Sequence, residues 1–165
     1  MIAERALKTL EYEKIIEQVA NYCTNSIGKS TIEQLKPETT LEEVNRLLDE
    51  MDEGLAILRL RSNVPLGGIF DIRPSARRAQ IGGVLSPSEL MEISSTIRAS
   101  RIFREFIEEI MIDEDLEIPY FEEKKEQLPI LTGLQHEINS CIDDNAHVTD
   151  SASSALRTIR QQLRM

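Results

Sequence analysis

Residues 86–113 read SPSELMEISSTIRASRIFREFIEEIMID, and this stretch decides the fold. Ser86 followed three residues later by Glu89 is a capping box, with Pro87 at the first helical position, where its missing amide costs nothing. Leu90, Ile93, Ile97, Phe103, Phe106, Ile107 and Ile110 trace one helical face, so the spacing predicts a long amphipathic helix ending near Asp113. Upstream, Gly82-Gly83 stops a short helix over 75–80, and the connection 62–74, SNVPLGGIFDIRP, is irregular. Before it, Leu41, Val44, Leu47, Leu48, Met51, Leu55 and Leu58 mark a second amphipathic helix, capped by Thr39 or Thr40 and running to about Arg61. The first 23 residues carry one apolar stripe (Leu7, Leu10, Ile15, Val19, Tyr22) broken near Thr9. A short helix from Ser26 must stop before Pro37, which lacks an amide donor and restrains Lys36.

Downstream, a short helix is expected over 119–127. In INSCIDDNAHVTD, 138–150, alternation through Ile138, Ser140 and Ile142 and a turn-prone Asp-Asp-Asn predict a small β-hairpin. Asp150 or Ser151 would cap a last helix in which Ala152, Leu156, Ile159 and Leu163 keep heptad spacing up to Met165, so this helix is expected to continue as a coiled coil. The expectation is an all-α chain with one small β-hairpin: a multi-helix core over 1–130, then the hairpin and the start of a long helix over 131–165.

The 165 residues suit one compact domain or two small subdomains. Two cysteines, Cys23 and Cys141, have no metal-ligand spacing and read as buried thiols of a reduced, cytoplasmic chain. No leader pattern and no run of 18 apolar residues is present, so neither secretion nor a membrane partner is expected. Gly28-Lys29-Ser30 ends like a phosphate-binding loop, but Cys23 stands where that motif needs glycine, and a helix precedes it instead of a strand. His136 and His147 have no cysteine partner nearby, and no nucleophile has a base and an orienting group around it. No catalytic, cofactor or metal site is therefore expected in this chain.

Charge is segregated. The net charge is −10, which disfavours a surface that grips phosphate throughout. Residues 105–126 carry ten carboxylates against Lys124 and Lys125, a solvated acidic edge. Residues 59–104 carry eight arginines against three acids, and Arg73, Arg77 and Arg78 are the candidate contacts to nucleic acid, because guanidinium forks bind phosphate bidentately. Equally, those arginines could pair with carboxylates inside the fold.

Several strings in order carry a family likeness: LEYEKI (10–15), SIGKSTIEQLKP (26–37), PLGGIFDIR (65–73), RRAQIGGVLSPSEL (77–90) and DSASSALRTIR (150–160). Together they resemble the N-terminal part of MutS-family ATPases of the second bacterial branch, the MutS-II type, with Gly28, Pro37, Asp71, Arg73 and Asp150 as landmarks. The branch rests on the chain opening directly into helical core. At Asn145-Ala146 the chain departs from the acidic residue and glycine of related chains. The resemblance implies a noncatalytic core and lever start within a homodimeric parent that binds ATP and Mg, with clamp, ATPase and C-terminal nuclease domains outside this chain. For that parent it implies ATP-dependent binding of branched DNA and suppression of homologous recombination, or alternatively the splitting of stalled, collided ribosomes through RNA contacts. A separate reading from the heptad alone is an autonomous helical protein-interaction module.

Overall fold

A computed structural model describes residues 4–163, and these form nine α-helices with no sheet. The helices are α1 (Glu4–Thr9), α2 (Tyr12–Ala20), α3 (Ser26–Glu33), α4 (Leu41–Leu60), α5 (Arg73–Gln80), α6 (Pro87–Asp113), α7 (Pro119–Gln127), α8 (Thr132–Cys141) and α9 (Ser154–Leu163). Two compact units share them. Unit 1 comprises Met1–Gly67 and Phe103–Gln127, and unit 2 comprises Gly68–Ile102 and Leu128–Met165; α6 contributes to both.

Unit 1 is built on branched aliphatics. Ile57 of α4, Ile107 and Ile110 of α6 and Ile118 ahead of α7 are buried together, with Phe103, Phe106 and Phe121 packed around them. The start of α7 leaves amides without intrahelical acceptors, and the Glu53 carboxylate of α4 accepts the Tyr120 and Phe121 N–H groups at 3.0 and 3.3 Å. The break between α1 and α2 falls at Glu11, whose φ of 53° no continuous helix allows.

In unit 2, Ile97 and Ala99 of α6 are buried, as are Ile138 of α8 and Ile142 just after it. Ser94 donates to Asn139 Oδ1 at 2.6 Å, joining α6 to α8. The irregular connection is pinned to α6 by Ser95 Oγ on the Gly68 carbonyl and by the Phe70 amide on Thr96 Oγ1.

The expected β-hairpin does not form. Ile138, Ser140 and Cys141 belong to α8, and all that remains of strand pairing is a single bridge between Ile142 and Val148. Leu134 and Ile138 also fit a helical period, and α8 buries Ile138, while Ile142, extended just after the helix, is buried at the bridge to Val148. The turn itself survives: the Asp143 carboxylate accepts the Asn145 and His147 amides at 3.0 and 2.8 Å, which holds its pKa below the usual carboxylate value. Ser153, rather than Asp150 or Ser151, caps α9 by accepting the Leu156 amide. The extension of this helix to Met165 lies outside the described residues.

Candidate nucleic-acid interface

The arginine-rich segment is α5 and its flanks. Asp71 lies two residues before Arg73, and Pro74 preorganises the first turn. Arg73 Nε and Nη2 each donate to one oxygen of Asp71 at 2.7 Å, a bidentate pair. That guanidinium and the Arg73 amide hold the Asp71 carboxyl below its ordinary value.

Arg78 is engaged as well. Its partner is Glu89, which also accepts the Ser86 amide at 2.8 Å and the Ser86 hydroxyl at 3.0 Å. The expected capping box is therefore present: Ser86 Oγ in turn accepts the Glu89 amide. Amide donation from Ser86, followed by Arg78 and the Ser86 hydroxyl, lowers the Glu89 pKa to about 2. Buried Ser75 adds a longer hydrogen bond to Glu89 from the first turn of α5. One carboxylate thus ties α5 to the start of α6. The chain reverses between them at Gly82, with φ 79°, and Gly83, where a Cβ would lie 2.9 Å from the Arg78 carbonyl oxygen.

Of the three candidate arginines, Arg73 and Arg78 thus have their guanidinium groups taken up by carboxylates. Arg77 is exposed and makes no ion pair among the described residues. Its charge nonetheless acts on Asp71 and helps lower that carboxyl's pKa. The capping box was legible from Ser86 and Glu89; the eleven-residue link from Arg78 to Glu89 depends on how the glycine turn folds back, and no local pattern announces it.

The other landmarks have structural partners. Gly28 and Lys29 lie within α3, and the Gly28 amide is taken by the Asn25 side chain at 2.8 Å, so this segment offers no phosphate cradle and does not fit ATP. Pro37 follows α3, half-buried. Asp150 accepts from Arg160 at 2.6 Å, and Arg160 also donates to the Val148 carbonyl, fastening α9 to the preceding turn. Among the described residues no three side chains cluster to hold a metal ion, and no helix is long and apolar enough to cross a membrane.

Along almost its whole length the chain is similar to the N-terminal part of MutS2 endonucleases, consistent with a segment of the MutS-II type. Its relatives are endonuclease MutS2 of Halalkalibacterium halodurans, 46% identical over 98% of the chain, and of Geobacillus sp., 49% identical over 97%. The putative endonuclease MutS2 of Bacillus subtilis is 45% identical over 98%. The chain spans 20% of the length of each, corresponding to their N-terminal part. No protein-family model matches it.

Proposed function

We propose that this chain is the helical core and lever start of a MutS2-type protein, passing ATP-driven motion of a homodimer to a clamp that holds branched DNA in the suppression of recombination. The identity to MutS2 proteins along almost the whole chain carries this reading. The mechanism is rigid-body helix movement. Arg160, bonded to both Asp150 and Val148, couples α9 to the turn before it, so force along α9 reaches that turn without unfolding the helix. ATP, Mg, the endonuclease activity named for the relatives and the clamp belong in this reading to the rest of the polypeptide. The lever role is tested by hydrogen exchange in a full-length protein carrying this segment: protection of α9 should change on ATP addition, and unchanged exchange overturns it.

Direct contact with nucleic acid is assigned to Arg77, tested by anisotropy with a four-way DNA junction, duplex DNA and a ribosomal RNA stem across a salt series. Junction binding that weakens with salt, with a salt slope about one unit shallower in Arg77→Ala, supports a phosphate contact. Preference for the ribosomal stem favours the ribosome-splitting role instead. Binding unaffected by Arg77→Ala removes the contact.

A further inference from the structure

Residues 72–88 contain no acid, yet two of the three guanidinium groups on α5 are paired. Asp71 stands immediately before that stretch and takes Arg73; Glu89 stands immediately after it and takes Arg78. Both pairs face water, the Arg73 and Arg78 side chains being 62% and 46% exposed, and exposed ion pairs contribute little to stability. Each carboxylate also keeps a donor of its own. Asp71 accepts the Arg73 amide at 3.2 Å, and Glu89 accepts the Ser86 amide and hydroxyl and, at 3.4 Å, the Ser75 hydroxyl. A departing guanidinium therefore leaves neither carboxylate bare. Its planar fork binds phosphate with the same bidentate geometry as carboxylate, so the two anions compete for the same donors.

We propose that Asp71 and Glu89 mask Arg73 and Arg78, and that the phosphodiester backbone of a nucleic acid displaces them, adding two guanidinium contacts to that of Arg77. The proposal rests on the nucleic-acid reading of α5 and extends it, because that reading uses Arg77 alone. Arg73 and Arg77 stand four residues apart on one face of the helix, and the Arg77 charge already acts on Asp71. A phosphate held by Arg77 thus lies beside the Arg73–Asp71 pair, where the first exchange takes place.

The test is the anisotropy of a four-way DNA junction with the chain at low salt. Asp71→Asn keeps an oxygen for the Arg73 amide while removing the competing charge, and it should tighten binding about threefold, the size of one exposed ion pair. Arg73→Ala should weaken binding by a similar factor. In that background Asp71→Asn should gain distinctly less, which separates masking from a general loss of negative charge. Glu89→Gln and Arg78→Ala should behave in the same way; where either disturbs α5, seen by circular dichroism, the Asp71 pair alone decides. Binding unchanged by Arg73→Ala, or an Asp71→Asn gain of equal size with and without Arg73, overturns the proposal and leaves the pairs as fixed struts. Equal or weaker binding in Asp71→Asn overturns it too, making Asp71 a positioning residue that holds Arg73 in place. Loss of binding in Arg77→Ala with no effect of Arg73→Ala keeps the Arg77 contact without the exchange; the opposite pattern keeps the exchange without the Arg77 contact. No binding by the chain or by Asp71→Asn overturns both.

Discussion

Unit 1 and unit 2 use charge in opposite ways. Unit 1 has twice as many acids as Lys and Arg and a core of four buried isoleucines, and much of its α4 apolar stripe is exposed. Unit 2 is nearly balanced, with eight Lys and Arg against seven acids, and places carboxylates where they lock chain reversals: Asp71 on Arg73, Glu89 on Arg78 and Ser86, Asp143 on its turn and Asp150 on Arg160. Burial of isoleucine organises the first; directed hydrogen bonds organise the second. All three tyrosines, Tyr12, Tyr22 and Tyr120, lie in unit 1, so tyrosine near-UV signals report on that unit alone.

The largest expected effect strikes the isoleucine core. Ile110→Ala removes a side chain that is 1% exposed and should cost about 2–5 kcal/mol, read as a lower urea midpoint in the tyrosine signal. Amide exchange in α5 should change little if the units open independently. Equal loss of α5 protection would show the two to be one cooperative body and break the contrast.

Next comes the glycine turn. A Cβ at residue 83 would stand 2.5 Å from Arg78 Cγ and 2.9 Å from its backbone oxygen, and the backbone cannot yield as a flexible side chain can. Gly83→Ala should cost about 1–3 kcal/mol, the scale of other overpacking strains. Melting followed by α5 amide signals should report it. An unchanged midpoint would mean that the α5–α6 reversal relaxes freely and that the Arg78–Glu89 link is not held by the turn.

Acid should separate the units further. Glu89 has a folded pKa near 2 against an ordinary 4.5, so its contribution is fully present above pH 4.5 and is lost as pH falls towards 2. The lowered Asp71 and Asp143 act in the same direction. Amides of α5 should lose protection across this window, and Glu89→Gln should flatten the slope there while lowering protection at neutral pH. A profile unchanged by Glu89→Gln would remove this carboxylate as the lock.

The difference between the units also explains what was legible in the sequence. The long helix, its capping box and its end at Asp113 follow from local spacing: the apolar period runs to Ile110 and the N-terminal cap is satisfied within three residues. The α4 stripe was equally legible as a pattern, but not its surroundings: periodicity identifies an apolar face without saying what covers it, and Ile57, outside the stripe, is the buried residue. Around Ile138 two periods fit the same residues, and helical burial prevailed over alternation. Among the arginines, sequence grouped Arg73, Arg77 and Arg78; the pairing of Arg73 with Asp71 is local, whereas that of Arg78 depends on Glu89 across a turn.

The smallest effect tests Ala146, a non-glycine residue in a left-handed conformation. Ala146 sits at φ 60° in the turn between Ile142 and Val148, a left-handed conformation in which a Cβ crowds the following carbonyl. Glycine removes that strain but gives the unfolded chain more freedom, so the two terms partly cancel. Ala146→Gly should stabilise unit 2 by a net gain of no more than about 1 kcal/mol, seen as slower exchange of the His147 and Thr149 amides, whose partners are Asp143 and Cys141. The tyrosine signal of unit 1 should not move. Faster exchange at those two amides would mean that the hydrogen bonds from Asp143 already make the left-handed geometry the preferred one for alanine.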